Sequence, residues 1–253
     1  MEYRQFAPPP ELARRVECIW ILRGAVAPAG QVILPDGRRE LVFHFGERPN
    51  RQPAVLLTGQ ITEALELAAG SGRMDALGLR LRPEASGSIE EPGVWARRVW
   101  ERAGNAVGDT ARVRVVADAA VARLGGAAAP DAAVAHSIRL IEQAHGRGPV
   151  ERFIPDALQV RQWQRRFAAA AGLSPKSFAR IVRLQRVVRL YESGEWRRWA
   201  DLALESGFYD QAHLANDFRA FSGQSPEAFF REGRGMAEFY RDAFFQDRAT
   251  PRA

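Results

Sequence analysis

The sequence predicts an α+β protein. A β-rich N-terminal sandwich or barrel-like domain with a closing helix precedes an all-α domain in which one helical supersecondary unit is used twice. Three observations carry this reading. Short apolar or alternating runs are confined to the first third of the chain, helical spacing takes over from residue 109, and a stretch of the C-terminal half is repeated at an offset of 51 residues.

Residues 16–22 (VECIWIL) form a short apolar run. Residues 31–34 (QVIL) and 40–45 (ELVFHF) flank PDGRR, where Asp36-Gly37 is a hairpin signal. Residues 55–57 and 76–81 (ALGLRL) continue the pattern, the latter with the alternation of a half-buried strand. Residues 109–124 switch to a helical period through Val113, Val116, Ala120 and Leu124. GGAAAP at 125–130 reads as a linker, so the expected division is 1–124, 125–130, a helical domain at 131–235, and an aromatic-rich tail at 236–253. Asp131 is the expected cap of a helix with Val134, Ile138 and Ile141 on one side, ending at Gly146. The tail places Phe239, Tyr240, Phe244 and Phe245 close together, which predicts docking on the protein or on a second chain.

The repeat overlays RRFAAAAGLSPKSF (165–178) on NDFRAFSGQSPEAF (216–229), with six identities in fourteen positions. Each copy reads as a helix ended by Gly, then a Ser N-cap with Pro at the first position of the next helix. Charge is distributed unevenly: +1 over residues 1–157, +8 over 158–198 and −3 over 199–253. A net +6 concentrated in this way is the footprint of a nucleic-acid partner.

In the second copy, residues 199–206 are helical, 207–209 form a tight turn, and Asp210 caps a helix reaching Phe221. With Leu214, Phe218 and Phe221 inward, Gln211, Ala212, Ala215, Asn216 and Arg219 face outward. Gln211 and Asn216 suit adenine, and Arg219 suits guanine or phosphate. The equivalent face of the first copy holds Arg161, Gln164 and Arg165, with Trp163 and Phe167 inward. GFYDQAHLANDFRAFSGQSP after ADLALES, preceded by RRFAAAAGLSPKSFARIVRLQRVVRL, closely resembles the C-terminal DNA-binding module of AraC-type transcriptional regulators over about residues 131–232. The resemblance implies an all-α domain with two helix-turn-helix units joined by a long helix, the connecting helix at 174–193, and recognition helices in successive major grooves of double-stranded DNA. It puts Gln211 and Asn216 on base-facing sites and Arg165 on the arginine site of the first unit. LPDGRRELVFHFGE and LGLRLRP look like an uncharacterised β-rich domain found ahead of such modules, which implies a sensor role.

The first unit departs from the pattern: Pro149 and Pro155 leave at most a turn and a half of helix, Ala157 stands where Gly is usual, and Gln159 replaces the capping Ser. Its role is then open between base reading and a phosphate grip, the alternative for the whole chain being a sensor or interaction protein that binds DNA weakly or non-specifically. The base-reading candidates are Gln211, Asn216, Arg161, Gln164 and Arg165. The phosphate candidates are Arg166, Arg180, Arg183, Arg219 and His213. Arg180, Arg183, Arg186 and Arg189 also admit the plain reading of a solvated helix face, and Asp217 is expected to pair with an arginine.

Trp20, Phe43, His44 and Arg80 are the candidate walls of a small-molecule effector site. Cys18, the single cysteine, reads as a small core residue. No spacing suggests a metal, a cofactor, a P-loop or a catalytic motif, so an enzyme is not expected. RNA polymerase and a second copy of the chain join DNA and an unidentified effector as candidate partners. The start lacks the layout of a secretory signal and no membrane helix is expected, which predicts a cytoplasmic protein.

Overall fold

The computed structural model describes residues 2–25, 31–46, 53–59, 62–67, 72–155, 158–194 and 196–232. The strands are β1 (Glu2–Phe6), β2 (Val16–Ala25), β3 (Gln31–Ile33), β4 (Glu40–His44), β5 (Val55–Leu57), β6 (Leu65–Leu67) and β7 (Arg73–Leu81). Five form an antiparallel sheet in the order β1-β2-β7-β4-β5, and β3 pairs with β6 in a separate two-stranded ladder. Strand alternation divides the large sheet into two buried faces. Ile19, Ile21, Leu41, Phe43, Leu77 and Leu79 pack beneath α1 (Gly93–Gly104) and α2 (Asp109–Leu124), while Cys18, Trp20, Leu22, Val42, Met74 and Ala76 cluster on the opposite face. There the Trp20 indole lies over Gly78, where a Cβ would fall 2.0 Å from its Cε2; only glycine leaves room for the ring.

The C-terminal region is helical: α3 (Ala132–Gln143), a 3-10 turn at Val150–Phe153, α4 (Val160–Ala171), α5 (Pro175–Ser193), α6 (Trp199–Glu205), α7 (Gln211–Ser222) and α8 (Pro226–Arg231). Asp131 caps α3 by accepting from Ala133 and Val134 N–H groups. Trp163, Phe167, Phe178, Phe218 and Phe229 are fully buried in one core, which also takes in Val32 and Leu34 from the N-terminal half. An α+β chain with an antiparallel N-terminal sheet region and a helical C-terminal region is therefore what folds. Residues 125–129 run exposed between α2 and α3. The aromatic tail at 236–253 lies outside the described residues. Among the described residues no helix is long and apolar enough to cross a membrane.

Several expectations are corrected. The strand at 76–81 is buried on both faces rather than one, because Gly78 is roofed by Trp20 and Arg80 is neutralised inside the fold. Strand β1 and helix α1 were not legible in the sequence. Residues 31–34 and 40–45 do not form a hairpin with each other: β3 pairs with β6, and β4 with β5 and β7. Gly37 keeps its turn conformation, with φ of 72°. However, Leu34 is drawn into the helical core and the Asp36 carboxylate into an ion pair with Arg80, and these contacts lead the chain from one ladder to the other.

That ion pair belongs to a buried cluster. Arg80 donates to Asp36 and, at 3.2 Å, to Glu40 Oε1, which also accepts from Trp20 Nε1. Arg38 donates to Glu17 at 2.9 Å and to Glu142 of α3 at 3.0 Å, and Gln185 of α5 donates to the Pro35 carbonyl. Burial opposes the charge on Arg80, but Asp36, Glu40 and Glu17 outweigh it and raise its pKa well above the ordinary value. The carboxylates divide. Burial pushes Glu40 up to about 7, with Arg80 opposing and Asp36 adding to the rise. Burial would also raise Glu17, but Arg38 and Arg80 hold it at about 2.

The signs for stability are opposite. Glu17, depressed, stabilises the fold above its ordinary value of 4.5 and loses that contribution as pH falls toward about 2. Glu40, raised, contributes most below 4.5 and loses it as pH rises through about 7. Glu40→Gln carries no titrating proton, so the stability of the wild type relative to this variant should fall between about pH 5 and about pH 8, read from urea midpoints. A difference that is flat with pH would show that Glu40 does not hold its proton in the folded chain.

Candidate nucleic-acid interface

The second unit is α6, a turn over residues 206–209, and α7. Phe208 N–H closes the end of α6 on the Ala203 carbonyl, Gly207 turns the chain at φ of 89°, and Asp210 caps α7 by accepting from His213 N–H at 2.7 Å. Leu214, Phe218 and Phe221 are buried, which leaves Gln211, Ala212, His213, Asn216, Arg219 and Ala220 exposed and Ala215 half-buried. Amide, guanidinium and methyl groups thus share one free helix face, the set of donors and acceptors that base edges in a major groove require. His213 is exposed and rests edge-on against Phe208 at 5.3 Å. Tyr209, 85% exposed at the entrance to α7, is a flat polar-tipped ring beside this face that sequence reasoning passed over. Its place directly after the Gly-Phe turn was the available signal.

In the first unit the two prolines have the expected effect: its first helix is reduced to the 3-10 turn Val150–Phe153, and Gln159 gives α4 no side-chain cap. A polar link compensates. Trp163 Nε1 donates to Ser137 Oγ at 2.9 Å, and Ser137 Oγ donates to the Phe153 carbonyl at 2.7 Å, tying α4, α3 and the turn together. Arg161, Gln164 and Arg165 are exposed together on the outer side of α4. A neighbouring side of α4 packs on the 3-10 segment Pro83–Ser88 of the N-terminal half.

The repeat is realised in three dimensions. Gly172 and Gly223 end α4 and α7 in the left-handed conformation, and Ser174 and Ser225 cap α5 and α8. Helix α5 holds the two units in register. Arg180 donates to both oxygens of Asp217 on α7, at 2.9 to 3.2 Å, and lies over the Phe221 ring. Arg183 donates to the Gly146 carbonyl at 2.9 Å and lies 3.7 Å from Asp217. Asp217 has its expected arginine partner. The plain alternative for Arg180, Arg183, Arg186 and Arg189, a solvated helix face, does not hold: all four are half-buried. Arg166 is also engaged, with both Nε and Nη2 at 2.7 Å from the Asp131 carboxylate. Three of the five phosphate candidates, Arg166, Arg180 and Arg183, therefore have carboxylate partners within the chain. Arg219 and His213 are exposed beside Gln211 and Asn216.

The four effector candidates are not brought together. Trp20, His44 and Arg80 share one face of the sheet, whereas Phe43, one residue out of phase, is buried on the opposite face against the α1 and α2 layer. Arg80 is neither a surface residue nor a free anion receptor, being held between Asp36 and Glu40. Contacts from this half reach both units: Pro35 to α5, the Pro83–Ser88 segment to α4, and Ala64 N–H to the Phe221 carbonyl of α7 at 2.8 Å.

Residues 157–232 match a family model described as Helix-turn-helix domain, and residues 4–90 match a Domain of unknown function (DUF6597). No curated protein matches the chain. Among solved structures, ToxT from Vibrio cholerae O395 is 9% identical with a TM-score of 0.45, covering 84% of this chain and 97% of that one. Wild-type ToxT of Vibrio cholerae strain SCE256, bound to an unsaturated fatty acid, is 9% identical with a TM-score of 0.42, covering 83% and 94%.

The bidentate Arg180–Asp217 pair fixes α7 on α5 in a partly screened position. Asp217→Asn should lower unfolding free energy by about 1–2 kcal/mol in urea titration, with Arg180→Gln costing no more when added to it. Full additivity of the two changes would mean that the pair does not act as a unit.

Proposed function

We propose that this chain, which carries an AraC-type helix-turn-helix domain over residues 157–232, is a sequence-specific DNA-binding transcriptional regulator whose N-terminal half responds to a small molecule. The observation that supports it most is the pair of helices with free polar faces, α4 and α7, joined by one rigid helix. The 19 residues of α5 span about 28 Å, close to the roughly 34 Å between equivalent grooves one DNA turn apart. Gln211 and Asn216 on α7, and Arg161, Gln164 and Arg165 on α4, are the base readers in this account. Arg219 and His213, exposed on α7, are its phosphate contacts. Buried aromatics anchor the inner sides of these helices: Trp163 and Phe167 on α4, Phe218 and Phe221 on α7.

Trp20 and His44, buried on one face of the sheet, are the two effector candidates that this account keeps. The effector's signal has a route through Arg80, Asp36 and residues 34–39 to α3 and α5. Promoter binding in the cytoplasm, with RNA polymerase or a second copy as further partners, completes the reading. A second reading is favoured by the short Val150–Phe153 turn and the uncapped α4: the first unit grips phosphate and α7 alone reads sequence.

Selection of bound sites from randomised duplexes by the full chain distinguishes the two. Two boxes one turn apart are expected of the first reading, one box of the second, and no enriched sequence contradicts both. Asn216→Ala should relax preference at one or two base pairs by about 1–3 kcal/mol, and an unchanged profile would remove Asn216 from the base readers. A compound that raises the melting temperature while leaving affinity for the selected site unaltered would argue against the sensor role, since linkage is reciprocal.

A further inference from the structure

The electrostatic grip on DNA needs cations that the fold leaves free, and the ion pairs of Arg166, Arg180 and Arg183 direct attention to a residue outside the basic stretch. Arg147 stands in the loop between α3 and the Val150–Phe153 turn, between Gly146 and Gly148, both with positive φ. The loop is clamped to the connecting helix. Gly146 accepts from Arg183 at 2.9 Å, and a Cβ on Gly146 would fall 2.2 Å from the Ala179 carbonyl oxygen. The stem of Arg147 crosses to the second unit and lies on its turn: a Cβ on Gly207 would meet Arg147 Cγ at 2.4 Å and Nε at 3.3 Å. Arg147 is nonetheless exposed, and it makes no ion pair among the described residues.

A guanidinium belonging to the first unit is thus braced on the turn of the second, two residues before the exposed Tyr209. We propose that Arg147 clamps the DNA backbone between the two recognition helices, taking a phosphate only when both units sit in register on one duplex. This rests on the DNA-binding reading above. With α4 and α7 in successive grooves, as proposed above, a strand of phosphates passes between them, and Arg147 stands where the first unit meets the turn of the second. A planar fork of donors suits a phosphate bidentately, and a stem already laid on Gly207 loses little rotamer freedom on binding. Glycine at 207 then serves two ends: it turns the chain at positive φ and leaves room for the arginine stem.

The test uses the full chain and the duplex it selects, with affinity measured across a salt series. Arg147→Met keeps the stem and removes the charge. It should lower affinity about tenfold or more for selected and unrelated sequences alike, and reduce the slope of log K against log salt by about one, with the melting temperature unchanged. Arg147→Lys should keep the slope and lose part of the affinity. Methylphosphonate in place of the phosphates midway between the two helices should weaken the wild type as Arg147→Met does and weaken that variant no further. An unchanged slope in Arg147→Met, beside a steep wild-type slope, overturns the clamp and leaves the DNA-binding reading standing. A flat wild-type slope overturns both. Should Arg147→Met unfold, an Arg147→Lys chain with a reduced slope also overturns the clamp, because the charge would then be present without the grip.

Discussion

The buried guanidinium of Arg80 is the constraint on which the two halves of this protein depend. It sits on the central strand of the large sheet, enclosed by Asp36 and Glu40, and a charge so placed is tolerable only while those partners stay. Asp36 can reach it only if residues 34–39 leave the hairpin path that their turn chemistry favours. That detour carries Leu34 into the helical core, the Pro35 carbonyl to Gln185, and Arg38 to Glu142. One ion pair therefore decides the local path of the chain, the separation of the two ladders, and the attachment of the sheet to α3 and α5.

The same logic of satisfied charges reshapes the electrostatics of the helical region. A net +8 over residues 158–198 suggested a broad cationic face. Much of it is spent inside the protein: Arg166 on Asp131, and Arg180 and Arg183 on Asp217, where they fix α3 against α4 and α7 against α5. Arg161 and Arg165 remain exposed on α4, and Arg219 on α7. Internal pairing thus trades diffuse attraction for geometry. The proposed recognition by two helices requires that trade, since α4 and α7 would read two grooves only with their spacing fixed.

The elements that could be read from sequence were those whose local signals agree with their tertiary setting. The Gly-x-Ser-Pro repeat, the Asp131 and Asp210 caps and the inward triad Leu214, Phe218 and Phe221 form as their spacing implies, because capping and 3.6-residue periodicity are short-range properties. Asp36-Gly37 misled because a long-range ion pair outweighs a two-residue turn preference. Arg80 looked like the polar face of a half-buried strand, since nothing adjacent in sequence names its acidic partners. Phe43 was grouped with His44 although neighbouring strand residues point to opposite faces. Strand β1, short and without a clean alternation (Glu2, Arg4 and Gln5 are polar), pairs with β2 through contacts that only the assembled sheet supplies.

If the Arg80 cluster joins sheet and helices as described, its removal must be felt far away. Hydrogen exchange on Arg80→Met, compared with the wild type residue by residue, tests this most directly. The expected result is lost protection in β4 and β7 accompanied by loss in α5, across the path through Asp36, Pro35 and Gln185. Protection lost from the sheet alone, with α5 unchanged, would contradict the account.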